Sequence, residues 1–256
     1  MKVVKSITVR ETKTRARETF LGIPADVITN KEATERIRAM LAENRAHFVA
    51  SVNPEICVAA LYNKELRQVL LSADMGTPDG VGIVLSSRLR GGKIRERVTG
   101  IDLMMDLMPV AVAGGYSVFL YGAAEGVAEE AARRLQERFP GLVIAGTHHG
   151  YVKAEEEAEV ARKIAASGAD LVFVGTGSPR QEMFVAKFGE ATGAKVLMVV
   201  GGSFDVISGR LQRAPVLFQR MGLEWLYRVC QQPRRLQRLL VLPYFLFLSL
   251  KEGRLD

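Results

Sequence analysis

The sequence predicts an α/β fold in which a parallel sheet is covered by helices on both faces and a basic helical C-terminal appendage closes the chain. Two observations carry the sheet. From Ser117 onward, short apolar runs (VFLYG, LVIAG, LVFV and Val196–Val200) alternate with segments whose apolar residues recur at helical spacing. Several runs end in glycine or a cap residue and turn at once into a helix start, which is the order of a βαβ unit. A third observation carries the appendage. Residues 206–256 hold eight Arg and one Lys against three acids, so +6 of the net +7 of all 256 residues belongs to the C-terminal fifth. The pattern is Rossmann-like. It divides the chain into a loose arm over 1–19, an α/β domain over 20–205 and a basic, apolar, membrane-seeking segment over 206–256.

Taken in order, Met1–Thr19 is polar and charged and lacks the apolar core of a signal peptide. Phe20 to Val27 reads as a hairpin around Gly22-Ile23-Pro24. Asn30 is placed to cap a helix whose apolar face is Ala33, Ile37, Met40 and Leu41. Phe48–Val52 is a strand, and Asn53-Pro54 starts the next helix as cap and first-turn proline. Thr77-Pro78-Asp79-Gly80-Val81-Gly82 reads as a turn-rich loop, where Asp79 has a plain structural use in bonding its own backbone. Residues 88–97 have the basic, glycine-containing composition of a mobile loop, and Thr99-Gly100-Ile101-Asp102 opens another helix.

Val127, Ala131 and Leu135 line one later helix, and Val160, Ala161 and Ile164 line a second that stops at Gly168. Leu171–Val174 is a buried strand broken by Gly175-Thr176-Gly177. Ser178 as cap and Pro179 in first position then start a helix through Met183, Phe184 and Phe188. Past Asp205 the chain turns basic. Leu223–Val229 is helical in pattern, and Arg235 and Arg238 share a face at i, i+3. Leu239–Leu250 (LLVLPYFLFLSL) is far short of the roughly 20 residues that span a bilayer. It suits either a buried core helix or a segment lying in a membrane interface. The arginines upstream, with Tyr244 and Phe245 inside it, favour the interface.

Taken alone, the turn after Leu171–Val174 reads as an ordinary βα connection; what lifts it toward anion binding is the polar first turn that follows. A strand ending in glycines and turning into a helix N-terminus presents free backbone N–H groups at the sheet edge where ligands sit. At Asp170–Glu182 the polar residues Arg180, Gln181 and Glu182 stand beside that edge. A dinucleotide fingerprint fails there, because Arg180 stands where GxGxxG needs its third glycine. Cys57 and Cys230 fit no metal spacing and read as free thiols of a reducing compartment. His47 and His148-His149 have no third ligand in view, so no metal is expected. The absence of any Asp-x-Asp removes the usual divalent-cation clamp on a sugar nucleotide, leaving helix N-termini and arginines to stabilise a departing diphosphate. Asp79 and Asp205 remain as loop acids suited to general-base attack by a hydroxyl.

The motifs SVNPE, TPDGVG, RVTGID, GTGSPRQE, GGSFDVISG, RAP and GLEWLYR, in this order and spacing, resemble the WecG/TagA/CpsF family, glycosyltransferase family 26, over roughly Phe20 to Arg238. The resemblance implies an inverting, metal-independent enzyme without cofactor. It implies transfer of N-acetylmannosamine from its UDP sugar to the 4-hydroxyl of N-acetylglucosamine on undecaprenyl diphosphate, for the wall teichoic acid linkage unit at the inner face of the cell membrane. By the same resemblance Asp79 is the general base, Asn53 and Gln181 position the sugars, and Arg97 faces the donor. Arg228, Arg235 and Arg238 match tail arginines that close over the diphosphate. Ser51 stands where the family usually has threonine and keeps the hydroxyl. Gly80 and Gly177 line the substrate loops, and Phe204 and Asp205 are assigned to the nucleotide pocket. Expected partners are the UDP sugar, the lipid-linked acceptor and the membrane surface, with a homo-oligomer off the membrane left open.

Other readings stay open at this point. Relatives use N-acetylmannosaminuronic acid or glucose as donor sugar, and no residue decides among them. A nucleotide-dependent oxidoreductase lacks its glycine fingerprint. A nucleic-acid-binding module using the basic tail lacks a helix-turn-helix or RNP pattern.

Overall fold

A computed structural model of the chain describes residues 16–215, 217–218, 224–231 and 240–254. A six-stranded sheet organises them. Its strands are β3 (His47–Val52), β4 (Met75–Pro78), β5 (Ser117–Gly122), β6 (Val143–His148), β7 (Leu171–Gly175) and β8 (Val196–Val199). They lie in the order β4-β3-β8-β7-β5-β6, and every neighbouring pair is parallel. Ahead of the sheet, β1 (Arg17–Phe20) and β2 (Ile23–Asp26) form an antiparallel hairpin. The near-continuous apolar runs of β7 and β8 follow from burial on both faces.

Helices cover the two faces as the connections require. On one side α2 (Pro54–Tyr62), α3 (Lys64–Leu71), α7 (Glu157–Ser167) and α8 (Arg180–Phe188) pack with a C-terminal helix, Val241–Lys251, over Val172, Val174, Leu197 and Val199. On the other, α1 (Asn30–Leu41), α5 (Gly100–Gly114), α6 (Val127–Arg138) and α9 (Ser203–Ile207) pack over Leu120, Phe173 and Met198. The helix α4 (Val81–Leu89) joins the first side, and Glu224–Gln231 is helical.

The structure corrects several local expectations. Arg17, Glu18 and Thr19 belong to β1 and not to a loose arm. Thr29, not Asn30, caps α1, in a reciprocal capping box with Glu32. Met75–Pro78 is a strand hidden by its turn-like composition, and Pro78 is tolerated because β4 is the sheet's edge. Ser178 makes no capping bond, and α8 begins only at Arg180. Residues 88–97 are held down: Arg88 and Leu89 finish α4, Glu18 accepts the Lys93 and Ile94 amides, and Arg90 is buried.

The last helix returns to the body in a groove between α2 and α4, with Phe245 and Ser249 buried. Gly82 of α4 permits the approach, since a Cβ there would lie 2.5 Å from Pro54 Cγ and 2.6 Å from Leu242 Cδ1. Arg90 then clasps the end of the chain. It donates to the Gly253 carbonyl at 2.8 Å and to the Thr19 carbonyl at 2.9 Å, and pairs with Glu252 at 3.2 Å. Glu252 in turn accepts the Leu21 amide at 2.9 Å.

Candidate active site

Four adjacent strands, β4, β3, β8 and β7, deliver their carboxyl ends to one edge of the sheet, and most of the expected site residues stand on the loops that leave it. At the end of β3, Ser51 is nearly buried and donates its hydroxyl to Asp79 Oδ2 at 3.0 Å. Asp79 follows β4 directly, and its amide donates to the Val52 carbonyl at 2.8 Å, which ties the two loops together. Asn53 caps α2, its Oδ1 accepting the Ile56 amide at 2.9 Å. Gly80 is the cap residue of α4 at φ +86°, a conformation that strains any other residue. The N-termini of α2 and α4 therefore flank the Ser51–Asp79 pair. Their dipoles favour negative charge there, whether the Asp79 carboxylate or a ligand's phosphate.

Across the edge, Gln181 is buried and bridges two loops. Its Oε1 accepts the Gly201 amide at 3.1 Å, and its Nε2 donates to Glu182 at 2.7 Å. Glu182 is fully buried, and burial pushes its carboxyl up against the opposing bonds from Gln181, its own amide and Ser178. Gly177, at φ +87°, opens the turn by offering its carbonyl to the Gln181 amide. Phe204 is fully buried and packs against Gly175, so its ring floors the loop. Asp205 is half-buried on α9, where its carbonyl takes the Leu211 amide. Arg180 leaves this edge for Glu157 at 2.7 Å and the Gly150 and Val152 carbonyls, so it fastens the β6–α7 loop.

Arg97 arrives beside β4 because the next amide, Val98, donates to the Pro78 carbonyl at 2.8 Å. Its guanidinium pairs with Glu224 at 3.0 Å. Glu224 also lies 3.5 Å from Arg213, which binds Asp102 at 2.7 Å, and Thr99 donates its hydroxyl to Asp102. Asp102, Arg213 and Glu224 had no role in the sequence reading, although each sits inside one of the quoted motifs, RVTGID, RAP and GLEWLYR. The motifs marked them, but only the fold shows that they touch. The backbone of Arg228 belongs to the helix Glu224–Gln231; its side chain, and Arg235 and Arg238 altogether, lie outside the described residues. Among the described residues no three His, Cys, Asp or Glu side chains group so as to hold a metal ion.

The edge can thus hold a carboxylate among helix N-termini, with an arginine alongside. That arrangement suits removing a proton from a hydroxyl while an anion is bound. The Glycosyl transferase WecG/TagA/CpsF family profile matches residues 18–256. The chain is 43% identical over 214 residues to the N-acetylglucosaminyldiphosphoundecaprenol N-acetyl-beta-D-mannosaminyltransferase of Bacillus spizizenii, covering 84% of this chain and 82% of that one. To the Bacillus subtilis protein of the same name it is 37% identical, over 80% of each. To that of Staphylococcus aureus strain MRSA252 it is 33% identical, over 97% of this chain and 98% of the relative. The chain belongs to the WecG/TagA/CpsF family of glycosyltransferases.

Proposed function

We propose that the protein moves N-acetylmannosamine from UDP-N-acetylmannosamine to the 4-hydroxyl of N-acetylglucosamine on undecaprenyl diphosphate, building the wall teichoic acid linkage unit. The three relatives carry that acceptor and that sugar in their names. The observation that carries the mechanism is the Ser51–Asp79 pair between the N-termini of α2 and α4. Asp79 takes the proton of the acceptor hydroxyl as its oxygen attacks C1 of the donor sugar. The bond from C1 to the diphosphate breaks in the same displacement, so the configuration at C1 inverts, and UDP leaves as an anion.

Helix N-termini and Arg97 face the negative charge that develops, with Arg228, Arg235 and Arg238 added from the tail. Ser51 holds the Asp79 carboxylate in register, and Asn53 shapes the acceptor loop. Gln181 positions the substrate by fixing the loop into α9, with Gly80, Gly177, Phe204 and Asp205 around it. No described helix is long and apolar enough to cross a membrane. The enzyme reaches its lipid-borne acceptor from the inner face of the cell membrane, through the basic segment 206–256.

The test is turnover with a lipid-linked N-acetylglucosamine diphosphate analogue and a panel of UDP sugars. UDP release with UDP-N-acetylmannosamine alone is expected, and preference for the uronic acid or for glucose would move the enzyme to another polymer. Asp79→Asn should lower the rate by a factor of about 100 or more while UDP binding survives. Loss of folding in that variant would return Asp79 to a turn residue.

A further inference from the structure

Among the described residues, most large apolar side chains left exposed sit on three neighbouring helices: Leu61 and Tyr62 on α2, Leu85 and Leu89 on α4, and Tyr244, Phe247 and Leu250 on the C-terminal helix. Tyr62 is 74% exposed, Leu89 57% and Phe247 56%. Isolated exposed apolar residues are ordinary, but a cluster of them calls for an occupant. The three helices are fastened side by side. Leu242 meets α4 at Gly82, the Ser86 and Ser249 hydroxyls touch, and the Tyr62 and Tyr244 hydroxyls lie 2.8 Å apart. With Phe245 and Ser249 turned inward, helical spacing puts Tyr244, Phe247 and Lys251 on the outer stripe.

We propose that α2, α4 and the C-terminal helix form one docking face for an anionic lipid surface, in which Leu61, Tyr62, Leu85 and Leu89 of the catalytic body enter the interface together with Tyr244, Phe247 and Leu250. The inference rests on the reading that the acceptor is lipid-borne, and adds that the body itself, not the tail alone, touches the membrane. Charge selects the occupant. Lys64, Arg88, Lys251 and Arg254 are exposed on or beside these helices, against the exposed acids Glu55 of α2 and Glu65 of α3, while Glu252 is already taken by Arg90 and the Leu21 amide. Arg234, Arg235 and Arg238 immediately precede the last helix in sequence. Lys251 holds its ammonium 4.5 Å from the Phe247 ring centre, an apolar body with a cationic tip that suits a headgroup layer. A second copy would bring the same cations against themselves across a two-fold axis, which disfavours self-association there.

The placement has a catalytic consequence. The helices α2 and α4 start at Asn53 and Gly80, beside Ser51 and Asp79, and end at the docking face. Each has nine residues, a rise of about 13 Å, so the base stands about one short helix from the lipid headgroups. Docking there leaves the diphosphate-linked sugar a span of about 13 Å to cross to Asp79.

Flotation of the full chain with vesicles of phosphatidylglycerol and phosphatidylcholine in equal parts tests this, using Leu85→Ser with Leu89→Ser on the body and Phe247→Ser on the tail. Each should weaken vesicle binding about tenfold, since exposed leucines lose their transfer to the interface. Turnover of a water-soluble short-chain acceptor should be unchanged in both. Vesicle binding equal to wild type in the body variant overturns the proposal. So does a parallel loss of turnover on the soluble acceptor, or a wild-type dimer in solution that the same variants dissociate. Because vesicle binding is read without any sugar donor, a wrong donor assignment leaves this result standing.

Discussion

Glu224 lies between two guanidinium groups, 3.0 Å from Arg97 and 3.5 Å from Arg213, and all three side chains are largely buried. Two cations drawn together would repel each other and disperse without it, so the carboxylate holds Arg97 in place beside β4. If Arg97 serves the donor as proposed, Glu224 is its positioning residue, carried by the C-terminal segment. Glu224→Gln keeps the shape and removes the charge, and should cost about 1–2 kcal/mol of transition-state stabilisation, roughly a tenfold fall in kcat. Glu224→Asp should recover part of it. A higher kcat in Glu224→Gln would mean that Glu224 competes with the donor for Arg97, and the assignment would be reversed.

At the level of elements, the C-terminal helix is a structural member of the body. Its seat depends on Gly82, where three helices meet closer than a methyl group allows. Gly82→Ala gains helix propensity of about 1 kcal/mol, but crowding a packed contact costs about 1–3 kcal/mol. The second term wins here because Pro54, one of the two obstacles, is rigid. Melting should show Tm lowered by a few degrees, partly recovered by adding Leu242→Ala. A raised Tm in Gly82→Ala would show that the groove is looser than the distances imply. The same packing means that truncation after Gln212 would strip Phe245 from the core, so point changes on the outer stripe separate membrane binding from folding more cleanly.

Across the whole molecule, the edge opposite the site is locked by acids. Asp74 accepts from Arg45 at 2.8 Å and from the Phe48 amide at 2.9 Å, with His47 3.5 Å away, and its carbonyl takes Arg17 and Arg36. Asp26 binds the same two arginines and the Gly76 amide. The hairpin, α1, β3 and β4 are joined there. Burial alone would raise the Asp74 carboxyl, but the bonds from His47, Phe48 and Arg45 win and hold it at about 2. An unfolded aspartate titrates near 3.9, so the folded state gains stability above about pH 4 and loses it as pH falls toward 2. The loss should reach about 2 kcal/mol in denaturant titrations run at stepped pH, and Asp74→Asn should flatten that acid limb. An acid limb of unchanged height in Asp74→Asn would assign it to other carboxylates.

Local chemistry written in the chain was enough for much of this. Asn53-Pro54 specifies a capped helix after a buried strand wherever it stands, and the alternation of β-branched runs with helical stripes specifies parallel βαβ units. The motif strings likewise mark Ser51, Asp79 and Gln181 for the sheet edge, although Asp79 reads there only as a turn residue. Other features were closed to sequence reading, because they depend on what lies opposite. Met75–Pro78 becomes a strand only by pairing with β3, and Arg180 faces Glu157 only because α7 and α8 cover the same face. The apolar run Leu239–Leu250 suits a core helix or an interface segment by composition, with the upstream arginines favouring the interface. Packing into the α2–α4 groove buries one stripe, Phe245 and Ser249, and leaves Tyr244, Phe247 and Leu250 exposed. Sequence by itself determined the alternation of strands and helices from Ser117 onward and the capped helix start at Asn53, since those follow from short-range periodicity and capping. Tertiary structure alone decided strand order, the Arg97–Glu224–Arg213 linkage and the return of the last helix, because each is a contact between residues far apart in the chain.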